Sequence, residues 1–110
     1  MNQNYCLLEI VATYQKHGWT LRRVLLTEET RKTLAQDAQP SLAGAEVETA
    51  AIDGLWFSRP SHNKREAWEL RLIAETSYAL FETFESDETE EQREERRREM
   101  EASLREYVAR

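Results

Sequence analysis

Two stretches of strict alternation lie back to back past the middle of this chain, and no other feature of the sequence restricts its fold as much. In Glu66 to Ile73, Trp68, Leu70 and Leu72 share one parity and Glu69 and Arg71 the other. In Tyr78 to Phe84, Tyr78, Leu80 and Phe84 lie together around Glu82, opposite Phe81 and Thr83. A period of two marks a half-buried strand, because successive side chains of a strand point to opposite faces. Glu75, Thr76 and Ser77 suit a tight turn between them, so the pair predicts an antiparallel hairpin. The Glu, Ala, Leu and Arg content also permits one helix from Glu66 to Glu85. Aromatic enrichment and the period favour the strands.

Upstream the period changes. Leu7, Ile10, Val11 and Tyr14 recur at spacings of three and four, the stripe of an amphipathic helix from Tyr5 to His17 that Gly18 ends. Trp19 to Leu26 reads as a strand with Trp19, Leu21 and Leu25 on one face, interrupted by Arg23, and Val24 and Leu26 on the other with Arg22. Both faces are partly apolar, so helices cover one and a loop or second subunit the other. Thr27 caps a short helix with Glu28 and Glu29 in its first turn, where negative charge meets the helix dipole. Gln36 to Glu46, with Pro40, Ser41 and Gly44, has no periodicity and reads as a surface loop.

Ala50 to Arg59 admits two readings. Asp53-Gly54 is a hairpin signal with a short strand on each side, or one longer strand runs through Gly54, which then marks a bulge or a close backbone approach. The second is preferred, because only Ala50 to Ile52 would form the first arm after Glu48. Pro60 to Lys64 is a polar loop that turns the chain back. Ser86 or Asp87 caps a long helix to about Val108, with Glu94–Arg98, Glu101–Arg105 and Glu106–Arg110 at the favourable spacing of four. Glu88 to Arg98 contains no apolar residue, so this half of the helix is expected to project or fray. Met100, Leu104, Tyr107 and Val108 form a stripe that needs a partner surface. Residues 87–110 carry nine acids and six arginines, a mixed run of the kind that forms a solvated helix face or a docking face.

The predicted fold is therefore α+β, in the order α-β-α-β-β-β-α: an antiparallel sheet of three to four strands with helices on one face and a long charged C-terminal helix. Residues 1–86 form one domain, and 87–110 belong to it or project from it. The predicted core is Leu7, Ile10, Val11, Tyr14, Leu21, Leu25, Trp56, Trp68, Leu70, Leu72, Leu80 and Phe84. Lone Cys6, set among Leu7, Leu8 and Ile10, reads as a reduced core residue. No apolar span approaches a membrane helix, and the first residues lack the pattern of a signal peptide, so the expected location is cytoplasmic with no membrane partner. With 15 basic against 21 acidic residues, net −6, tight nonspecific binding of nucleic acid is disfavoured, though a local basic site is not.

Such a site exists in sequence: Arg59, Lys64 and Arg65 with His62 between them, preceded by Trp56, Phe57 and Ser58. Positive charge beside aromatic faces binds phosphates and stacks bases, so Trp56, Ser58, Arg59, His62, Lys64 and Arg65 are candidate ligands for an anion, a nucleotide or single-stranded nucleic acid. The same residues also suit a solvated loop. Asp53, followed by the Glu69-Leu70-Arg71 triplet, with Glu9 on the first helix, resembles the PD-(D/E)xK nucleases, whose carboxylates hold Mg²⁺ for phosphodiester hydrolysis. That resemblance covers Asp53 and Glu69 only, lacks the preceding Pro, and puts Arg71 where the family has an adjustable lysine. His17 and His62 are far apart in sequence without ligand spacing, and no phosphate-binding glycine loop or nucleophile elbow occurs, so no metal, cofactor or catalytic residue is assigned. The expected function is a small non-enzymatic protein-interaction module, homodimeric through the apolar sheet face and the Met100–Val108 stripe. Anion binding at Trp56–Arg65 comes second and the metal-dependent nuclease third.

Overall fold

The structure, a computed structural model, describes residues 3–34 and 44–110. Helix α1 (Gln3–Lys16) leads to strand β1 (Thr20–Leu26), helix α2 (Glu28–Leu34) and strand β2 (Glu46–Thr49). Strands β3 (Gly54–Pro60), β4 (Glu66–Leu72) and β5 (Ala79–Phe84) follow, and helix α3 (Glu90–Ala109) closes the chain. The α+β class and the β4–β5 hairpin agree with the sequence reading. The sheet, however, has five strands in the order β2-β1-β3-β4-β5, and β2 runs parallel to β1 while every other pair is antiparallel. Strand β2 escaped prediction because Glu46, Val47, Glu48 and Thr49 are too few and too charged to show a period. The expected loop from Gln36 lies mostly outside the described residues.

Helices cover both faces of the sheet, not one. Leu7, Ile10 and Val11 of α1 pack with Val24, Leu26, Leu55 and Phe57. On the other face Met100 and Leu104 of α3 pack with Leu25, Trp56, Trp68, Leu70 and Phe84. The second apolar face of β1, expected to lie under a loop or a second subunit, is covered by the chain's own C-terminal helix. A bulge assigns the side chains of β1: Leu21 pairs with Phe57 and Arg23 with Trp56, leaving Arg22 as the extra residue. Parity reverses there, so Leu21 joins Val24 and Leu26 on the α1 face, and of the leucines and valine of β1 Leu25 alone faces α3.

Neither reading of Asp53-Gly54 holds in full. Gly54 opens β3 instead of lying within a strand, and no hairpin forms at Asp53. The close approach is real: a Cβ on Gly54 would lie 3.3 Å from Leu70 Cδ1 and 3.4 Å from Leu104 Cδ2. Gly18, at φ 88°, ends α1 in the left-handed region, which glycine enters without steric cost. Helix α3 is capped by Thr89, not by Ser86 or Asp87. The Thr89 hydroxyl accepts from the Gln92 amide at 3.1 Å, and Gln92 Oε1 accepts from the Thr89 amide at 2.9 Å, a reciprocal capping box. Of the predicted core, Tyr14, Leu72 and Leu80 are only partly buried, whereas Val24, Leu26, Leu55 and Phe57, absent from that list, are buried.

Candidate functional site

The β3–β4 hairpin carries the predicted basic loop, closed by Ser61 N–H donating to Arg65 O at 2.9 Å. A single 3-10 turn, His62–Lys64, places Asn63 (φ 58°) and Lys64 (φ 62°) in the left-handed region. Two successive non-glycine residues there cost roughly 1–2 kcal/mol each. Ser58 is buried, while Arg59, His62 and Lys64 are exposed. The Arg59 guanidinium lies 4.4 Å from the Trp19 ring centre and donates to His17 O at 3.1 Å. Arg65 pairs with Glu85 at 3.0 Å. Trp56, named with this loop from sequence, is not part of it. Its side chain is fully buried on the α3 face, where Nε1 donates to Glu101 at 2.8 Å.

Beside the loop, the bulge residue Arg22 is exposed, its guanidinium 5.5 Å from the Trp68 ring centre. Arg22, Ser58, Arg59, Ser61, Lys64 and Arg65 line a cleft of about 420 Å³. Sequence reasoning missed Arg22, because nothing local shows that a bulge will turn it toward a hairpin more than 30 residues away.

The stripe Met100, Leu104, Tyr107 and Val108 has its partner surface within the chain. Met100 and Leu104 are buried against the sheet, and Tyr107 stacks on Tyr78 with ring centres 3.6 Å apart, leaving Val108 exposed. The arginine-rich first half of α3 is docked as well, contrary to the expectation that it projects. Arg97, 2% exposed, lies 4.0 Å from the Trp68 ring centre and 5.3 Å from that of Phe84, and pairs with Glu94 at 2.8 Å. Arg23 of β1 holds the same carboxylate at 2.9 Å, and together these cations keep the Glu94 carboxyl below the usual glutamate range.

The carboxylates of the nuclease resemblance have separate occupations. Asp53 accepts from Thr27 N–H and from Thr30 Oγ1, both at 2.8 Å, tying α2 to the start of β3. Glu69 accepts from the Tyr14 hydroxyl, whose pKa burial and that carboxylate raise well above the usual phenol range. Among the described residues no group of three or more His, Cys, Asp and Glu is placed to hold a metal ion. None of their helices is long and apolar enough to cross a membrane.

The sheet leaves two edges. On β2 the edge is four residues long with exposed Glu46 and half-buried Glu48, short and charged in the way that deters pairing. On β5 it is six residues long and carries Phe81, 58% exposed. Leu72 N–H donates to Tyr78 O at 3.0 Å, so Tyr78, Leu80 and Glu82 turn their backbone groups toward β4, and Ala79, Phe81 and Thr83 turn theirs outward, those of Thr83 meeting Glu82 Oε1 at 3.1 Å and the Arg96 guanidinium at 3.4 Å. Comparison of the chain with protein-family models, with curated proteins and with solved structures finds no match.

Proposed function

We propose that this protein is a small interaction module that acts as a homodimer, two copies joining β5 to β5 in one continuous antiparallel sheet. The observation that carries the reading is Phe81: a 58% exposed aromatic at the centre of the longer, less charged edge, with its own N–H and C=O facing out. A two-fold axis normal to the sheet keeps each face in register, so opposed residues must share parity. Centred on Phe81, it sets Phe81 against its counterpart, Ala79 against Thr83, and Leu80 against Glu82. Centred one step later, it would oppose Glu82 to Glu82, a like-charge pair that costs stability. The Phe81-centred register thus supports a second copy as the strand that fits this edge. It replaces the Met100–Val108 stripe, which the chain uses for itself.

Solution mass by light scattering across a hundredfold dilution tests the reading. The wild-type chain is expected to be a dimer that dissociates on dilution. Phe81→Lys removes the aromatic pair, and Ala79→Pro removes an outward N–H without disturbing the β4 ladder. Both variants are expected to be folded monomers. A wild-type chain that is monomeric throughout, or a dimer indifferent to both substitutions, overturns the proposal.

A further inference from the structure

We propose that the cleft between the β1 bulge and the β3–β4 hairpin binds a small molecule bearing a phosphate or diphosphate group. Three separate elements deliver the cations: Arg22 from the bulge, Arg59 from the end of β3, and Lys64 and Arg65 from the turn. Arg59 is already committed to Trp19 and His17 O and Arg65 to Glu85, and the Arg22 guanidinium lies 5.5 Å from the Trp68 ring centre. Arg22 and Lys64 make no ion pair with any described residue, and both open onto the cleft. The one carboxylate among the described residues on its wall, Glu66, is drawn away, accepting from Trp68 Nε1 at 2.9 Å and facing Arg93 at 3.6 Å. Positive charge therefore gathers locally in a chain of net −6, with serine hydroxyls at Ser58 and Ser61 as neutral donors.

Guanidinium groups present forked donors that match phosphate oxygens, and an ammonium adds a point charge. The left-handed backbone at Asn63 and Lys64 fixes where that ammonium starts, so part of the ordering cost is met before a ligand arrives. Recognition here rests on charge and not on base stacking, because Trp56 is buried under α3 and the ring of Trp19 is covered by Arg59. That distinction favours a small phosphate compound over single-stranded nucleic acid, whose length would also run along an acidic surface.

Pyrophosphate, inorganic phosphate, ADP and a single-stranded oligonucleotide, each titrated against the labelled full chain while amide and arginine Nε–H signals are followed, provide the test. Saturable shifts confined to Arg22 and Ser58–Arg65 are expected with pyrophosphate, with ADP binding no tighter. Arg22→Gln and Lys64→Asn, the latter keeping a residue that tolerates the left-handed region, should each weaken pyrophosphate about tenfold. Shifts that stay linear to the solubility limit, or saturable binding that survives the double variant, overturn the site. Tighter binding of ADP or of the oligonucleotide than of pyrophosphate overturns recognition by charge alone.

Discussion

Arg97 is the residue on which the C-terminal helix most depends. A guanidinium can be buried here because its faces meet aromatic rings, Trp68 at 4.0 Å and Phe84 at 5.3 Å, while its ends reach Glu94 at 2.8 Å and Glu90 at 3.3 Å. Among the described residues its Nε finds no hydrogen-bond acceptor, so one donor of the guanidinium is left unsatisfied. A buried pair of this kind contributes less to stability than its removal costs, since truncation leaves a void and a partner without its cation. Arg97→Ala is expected to cost about 2–4 kcal/mol in denaturant unfolding. Arg97→Met, which refills the slot with apolar volume while Arg23 still holds Glu94, should stay within about 1 kcal/mol of wild type. A methionine variant as unstable as the alanine one would show that charge, not packing, fixes this position. Asp53 makes the complementary case. Its two acceptor bonds to Thr27 and Thr30 secure the start of α2, and Asp53→Ala should cost about 1–2 kcal/mol through loss of that tie. The same measurement separates its structural role from the nuclease resemblance, which requires no loss of stability.

At the scale of elements, α3 shows how an almost wholly charged helix docks on a sheet. Met100 and Leu104 supply the apolar contact in its second half, and in its first half arginines lie over aromatic rings while glutamates hold their ends. A chain ending at Glu85 would bare Trp56, Trp68 and Phe84 together, so it is expected to lose cooperative unfolding and aggregate, whatever its oligomeric state. Acid should loosen the same contact. Glu94 titrates below its ordinary range when folded, so its contribution is complete above the unfolded-state pKa and is lost as pH falls through the depressed folded value. Thermal scans should therefore show a steep acid limb that Glu94→Gln flattens. These contacts also explain what sequence could disclose. The β4–β5 hairpin and α1 were legible because each carries its own period, two or three-to-four, in consecutive residues. The docking of α3 was not, because Arg97 looks like any solvated arginine until Trp68 and Phe84 lie beneath it. The basic turn was legible as charge at Arg59, Lys64 and Arg65. Exclusion of Trp56 and inclusion of Arg22 were decided by strand parity and a bulge, which depend on pairing across the sheet.

Over the whole molecule, the sheet grades from a closed centre to two unlike edges, and that gradient makes both proposals measurable in one preparation. Strand β3 is paired on both sides, and its Leu55, Trp56 and Phe57 are fully buried, so its amides should exchange slowest of all. The outward amides of Ala79 and Phe81 should exchange freely in dilute protein and slow as concentration rises, while Leu80 and Glu82, already turned to β4, change little. Strand β2, short and acidic, serves as the edge that concentration should leave unaltered. Salt then separates the two events. Each copy carries a net charge of −6, so assembly works against mutual repulsion, and raising salt from about 0.01 M to about 1 M shortens the screening length from roughly 30 Å to 3 Å. Dimerisation is expected to strengthen over that range. Pyrophosphate binding, which draws on Arg22 and Lys64, is expected to weaken over the same range, because the attraction it uses is screened. If the protection of Ala79 and Phe81 fell with salt alongside pyrophosphate affinity, attraction between charges and not backbone pairing would be joining the copies, and the β5 edge would lose its role.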